Sequence, residues 1–199
     1  MPTWFEALAR QTPNAGAGLL VTAVVALAVA RPLGRRLALP AVGVAAWVAA
    51  LGLVASLTLT PRSTWAAVTE RVCTLDTWTP LGLDSVLALD QRAANAVMLV
   101  PLAVLSALPR ERRRLVGALT VAAVLPLVVE AVQYALPGLG RICHSEDLVD
   151  NLAGVAVGAV VGLAARWALS RRARGHERDA AATSVAAPRP AGPAPRPNR

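Results

Sequence analysis

Apolar residues run along this chain in blocks separated by short polar connectors. Five blocks approach the length of a membrane span: residues 14–30, 41–59, 93–108, 115–136 and 148–169. A spanning helix needs ~20 predominantly apolar residues, so the first and third blocks are short and their ends soft. The blocks lack alternating polarity and exceed the ~10 residues of a barrel strand, which predicts helices. The fold class expected is therefore all-α: a polytopic membrane bundle of about five transmembrane helices within residues 1–174. Residues 175–199 turn Ala-, Pro- and Arg-rich. They hold too little apolar surface to fold and are expected to be a disordered cytoplasmic tail.

Charge sets an orientation for this bundle. All 20 basic residues are arginine. Arg31, Arg35 and Arg36 follow the first block, Arg110 and Arg112 to Arg114 the third, and Arg166, Arg171, Arg172 and Arg174 the fifth. The connectors at 60–92 and 137–147 mix Arg62, Arg71, Arg92 and Arg141 with six acidic residues. Basic connectors stay in the cytoplasm, so the N-terminus is expected outside and the C-terminus inside. A secretory signal in the first block, cut after Ala28-Val29-Ala30, fits poorly: its start holds only Arg10 against Glu6, and Pro32 follows the cut. The 55% hydrophobic content and mean hydropathy of +0.52 agree with a membrane protein. The net charge of +8 lies in runs beside apolar blocks, which favours topology signals or anionic lipids over nucleic acid.

Against this background one polar strip stands out. Glu130, Gln133, Arg141, Asp147, Asp150 and Asn151 fall within 22 residues, across the end of the fourth block and the start of the fifth. Carboxylates and amides are costly at membrane depth, so such clustering marks a built site. Glu130 and Gln133 share a helix face by their spacing of three, and Arg141 is the expected cationic partner of Glu130. Asp147, Asn151, Gly154, Gly158 and Gly162 draw one stripe along the fifth block. Its glycines permit close approach of another helix, expected to be the fourth. Asn95 supplies a further amide at the same level or caps the third helix. Pro101 and Pro126 each remove a helix hydrogen bond and favour kinks that could open a cavity, the commoner alternative being a proline simply tolerated in a packed membrane helix. Trp47, Trp65 and Trp78 read as interface anchors or packing, with sugar or lipid stacking at Trp78 the alternative.

Cys73 and Cys143 are the two cysteines, both in connectors that the arginines place outside. A Cys73 to Cys143 disulfide is expected there. Two free thiols, or a metal pair with His144, are the alternatives. No metal or other cofactor is expected.

The same residues resemble the VanZ-like family of small bacterial integral membrane proteins, named for a teicoplanin (glycopeptide) resistance factor. The resemblance covers about residues 93–165. Asn95 with Pro101 is similar to the family's Asn-x5-Pro segment, Glu130 with Gln133 to its Glu-x-x-Gln, and Arg141, Asp147, Asn151 and Gly154 to its Arg, Asp, Asn and Gly series. The chain departs from the pattern at His144, where the family has an acidic residue, and at Ala103, where it has glycine. The resemblance implies a multi-pass protein of the bacterial plasma membrane with a role in envelope maintenance and antibiotic tolerance.

Three functions follow as expectations. In the first, Asn95, Glu130, Gln133, Arg141, Asp147 and Asn151 form an outward-facing site that recognises a polar or anionic headgroup, of a cell-wall lipid precursor or a glycopeptide-type antibiotic. In the second, an intramembrane hydrolase or transferase uses Glu130 or Asp147 as base and His144 as proton shuttle. In the third, the polar network only fixes helix packing. Membrane lipids are the expected partners.

Overall fold

The computed structural model describes residues 12–61 and 70–186, with side chains to Arg172. Trp65, and with it that anchor reading, lies outside the described residues. Six α-helices are present among those described: α1 (Ala15–Leu37), α2 (Ala41–Thr58), α3 (Leu83–Ala88), α4 (Gln91–Ala107), α5 (Arg112–Ala135) and α6 (Ser145–Ala186). Two two-residue strands, β1 (Cys73–Thr74) and β2 (Cys143–His144), pair in parallel. α1, α2, α5 and the Ser145–Arg172 part of α6 are long and apolar enough to cross a membrane. At 17 residues α4 is a shorter apolar helix. The chain is thus an all-α membrane bundle. Large apolar side chains such as Leu27 and Val42 stand exposed on its flanks, as contact with lipid requires.

Two element ends differ from the sequence reading. α1 runs through Pro32 to Leu37 instead of stopping at residue 30. A single proline forfeits one hydrogen bond, which a membrane helix tolerates when its neighbours remain apolar. The helix ends where Ala38 turns left-handed at φ 50 and Leu39 N–H reaches back to Gly34 O at 2.9 Å. The second concerns the segment that begins at residue 175. α6 continues to Ala186, over a stretch that holds four alanines and no proline. Residues 187–199 lie outside the described part.

α1 and α2 form a hairpin in which Gly52 faces Thr22 so closely that a Cβ there would overlap it. The most extensive contact joins α4 and α6. A Cβ added to Gly154 would collide with the Ala96 carbonyl, one on Gly158 would lie 2.6 Å from Val100 O, and one on Gly162 2.6 Å from Val104 O. The constant offset of 58 residues means the two helices run parallel and in register. The sequence reading set this glycine stripe against the fourth block, now α5; it packs instead against α4. Small residues are needed on both sides of so close a crossing, and α4 offers Ala96, Ala103 and Ala107, all buried. The core lies between α2, α4, α5 and α6, around Val54, Leu99, Leu102, Ala122 and Val129.

Candidate functional site

The starts of α4 and α6 and the ends of α2 and α5 lie at one end of the bundle, opposite the end where Arg166 reaches the Arg110 carbonyl. Here Cys73 and Cys143 form a disulfide, joining β1 to β2 across the α5–α6 connector. Beneath it is a cavity of about 320 Å³. Asn95, Glu130, Gln133, Arg141, Asp147 and Asn151, the six residues singled out from the sequence, all line it. Leu57, Thr58, Met98, Val129 and His144 contribute further walls.

One wall is built on the end of α2. A helix leaves its last four carbonyls without helical partners, and in an apolar setting each needs a donor. Leu59 N–H serves Ala55 O at 2.8 Å, Thr60 Oγ1 serves Ser56 O at 2.7 Å, Arg141 Nη2 serves Leu57 O at 2.5 Å, and Gln133 Nε2 serves Thr58 O at 3.1 Å. Gln133 and Arg141 therefore carry a structural duty: they close the end of α2 against α5 and its connector. The sequence reading paired Arg141 with Glu130. The two line the same cavity, as does Asp147. The direct donor to Glu130 Oε2, however, is the backbone N–H of His144 at 3.0 Å. Glu130 is 7% exposed.

The opposite wall is the polar start of the α4–α6 pair. Asn95 Nδ2 donates to Asp147 Oδ1 at 2.6 Å. Asn95 is not the cap of α4; that role belongs to Asp90, whose side chain accepts from Ala93 N–H at 3.1 Å. This bond, followed by one from the Ser85 hydroxyl, holds the Asp90 carboxyl below its ordinary range. Asn151 is 3% exposed, and its Oδ1 is buried with no hydrogen-bond partner.

Arg92 and Asp150 form an ion pair that the sequence reading did not assign. Arg92 Nε and Nη2 meet Asp150 Oδ2 and Oδ1 at 2.9 and 2.8 Å, a bidentate fork onto a carboxylate with 0% exposure. Arg92 also donates to the Thr79 carbonyl at 2.8 Å and lies 3.6 Å from Glu146. Spacing alone does not give this pair: parallel helices with matching spacings of three would join Arg92 to Asp147 and Asn95 to Asp150, whereas the observed bonds are crossed.

Ser145 is buried and its Oγ donates to the Thr77 carbonyl. Trp78 is exposed, with Nε1 donating to Leu75 O at 2.9 Å, while Trp47 Nε1 donates to Ser106 Oγ at 2.9 Å between α2 and α4. Among the described residues no group of three His, Cys, Asp or Glu side chains is arranged to hold a metal ion.

A family model described as VanZ/LLP1 matches residues 19–166. Neither the curated proteins nor the solved structures give a match.

Proposed function

The chain belongs to the VanZ-like family, VanZ/LLP1, and from that premise we propose that its cavity recognises the polar headgroup of an envelope amphiphile. The class includes a lipid-linked cell-wall precursor and a glycopeptide-type antibiotic, and the outcome is envelope integrity or tolerance. The supporting observation is that six polar side chains from α4, α5, α6 and the α5–α6 connector line one cavity. Arg141 brings positive charge suited to a phosphate or carboxylate, while the amides and carboxylates suit hydroxyl and amide groups.

The cavity end faces the exterior of the bacterial plasma membrane in this reading. Arginine runs mark the other end as cytoplasmic, and a disulfide persists in an oxidising compartment. A headgroup of the outer leaflet then reaches the cavity without crossing the membrane.

One observation favours a second, purely structural reading for part of the site. Gln133 and Arg141 hold carbonyls of α2, so their loss disturbs the fold whatever the cavity binds. Glu130→Gln avoids this difficulty, because the amide oxygen still accepts from His144 N–H. The test is growth of a susceptible bacterium expressing the chain in teicoplanin, with membrane accumulation measured in parallel. Normal accumulation with lost tolerance supports the headgroup site. Unchanged tolerance at normal accumulation contradicts it.

A further inference from the structure

On the premise that the cavity is a headgroup site, what its walls still lack narrows the chemistry of the occupant. Several donors on these walls are committed within the protein: the Asn95 amide to Asp147, the Gln133 amide to Thr58, Arg141 Nη2 to Leu57 and the His144 N–H to Glu130. One buried donor atom, Arg141 Nε, and one buried acceptor stand without a hydrogen bond. Asn151 Oδ1 is buried with no partner, although a buried amide oxygen without a donor is costly. Beside it, Glu130 and Asp147 line the same cavity. The lining thus sets the carboxylates of Asp90, Glu130 and Asp147 against the guanidinium of Arg141.

A donor group that also carries positive charge relieves both the orphaned acceptor and the repulsion between carboxylates. We propose that the cavity receives a primary ammonium group, which donates to Asn151 Oδ1 and to the carboxylates of Glu130 and Asp147. An ammonium has three N–H donors and no acceptor, matching three acceptors on the protein. A quaternary ammonium carries the charge without the donors and satisfies none of them. The remainder of a zwitterionic ligand, phosphate or carboxylate, is left for Arg141.

Such an amine has two sources, an aminated lipid headgroup or the side chain of an envelope peptide, and one panel separates them. The full chain, purified with its disulfide intact in nanodiscs of phosphatidylglycerol, is titrated by calorimetry and native mass spectrometry. The probes are short-chain phosphatidylethanolamine, its N-acetyl derivative, short-chain phosphatidylcholine, short-chain phosphatidic acid, and the peptide lysyl-alanyl-alanine. Tighter binding of phosphatidylethanolamine or of the peptide identifies the source. N-acetylation is expected to weaken binding by about tenfold or more. Asn151→Leu is expected to do the same, and Asn151→Asp, which keeps the volume and adds charge, is expected to tighten amine binding. Equal binding of the amine and its N-acetyl or choline counterpart overturns the ammonium assignment but leaves a headgroup site standing. So does binding of phosphatidic acid alone. Failure of the whole panel to bind overturns the headgroup reading with it.

Discussion

On one side of the cavity α2 and α5 meet through side chains that spend their donors on backbone carbonyls. On the other, α4 and α6 meet through side chains that spend theirs on carboxylates. Gln133 and Arg141 finish a helix end; Asn95 and Arg92 select which residues of α6 stand opposite α4. The first arrangement answers a demand any membrane helix makes and says little about ligands. The second leaves one acceptor at the cavity without a donor, Asn151 Oδ1. Residues that look alike in sequence thus divide by the kind of partner they have found.

The α4–α6 side rests on close approach, so it is the easiest to break. Gly154→Val drives a side chain into the Ala96 carbonyl. Overpacking of backbone cannot be relieved by a rotamer change, and a loss of about 3 kcal/mol or more is expected. The readout is failure to recover monodisperse protein from the membrane, with Gly117→Val on open space as the control. Asp150→Ala comes next. Removing the buried half of the Arg92 pair is expected to cost about 3 kcal/mol, measured as a lowered Tm in detergent. Recovery of stability in Arg92→Leu/Asp150→Leu separates the pair from the general need for polarity.

The α2–α5 side is expected to be softer. Gln133→Leu leaves the Thr58 carbonyl without its donor and is expected to cost about 1–3 kcal/mol. Arg141→Lys retains the charge but not the fork, and is expected to cost less than Arg141→Ala in the same Tm assay. A larger loss from Gln133→Leu than from Asp150→Ala would reverse the contrast between the walls.

Two smaller effects sharpen the mouth of the cavity. Leu89 ends α3 in a left-handed conformation at φ 49 and lines the cavity. That conformation disfavours a side chain, so Leu89→Gly is expected to stabilise by about 1 kcal/mol, seen as a raised Tm. Asp90 carries a carboxyl pKa held below its ordinary range, because Ala93 N–H and the Ser85 hydroxyl bond its charged form. A depressed carboxyl contributes stability that is complete above its unfolded value and is lost as pH falls through the folded one. The Tm of the native chain is therefore expected to fall more than that of Asp90→Asn on acidification below about pH 4. Parallel curves would contradict this.

Much of the bundle was legible in the chain because membrane helices announce themselves by length and apolarity; three of the five blocks reappear within a few residues of their expected ends, while α1 and α6 run on past theirs. The six lining residues were legible too, since polarity at membrane depth is rare enough to mark itself. Their partners were not. Spacing says that Asp147, Asn151 and Gly154 share a face of α6, but not which helix that face meets; the buried alanines of α4 decided it. Nor does a sequence display backbone carbonyls, so the demand that the end of α2 places on Gln133 and Arg141 was invisible. Arg92 was read as one charge in a mixed connector because its partner, Asp150, lies 58 positions away.

The most direct test of a ligand-binding cavity is a cryo-EM map of the protein in nanodiscs of native bacterial lipid. A site of this kind predicts non-protein density between Glu130, Asp147 and Asn151, with its polar end in the cavity and an acyl chain trailing into the bilayer. A cavity closed by Glu130 turned directly onto Arg141, with Asn151 Oδ1 bonded to protein and no density beside it, would contradict that reading and leave only a network that packs helices.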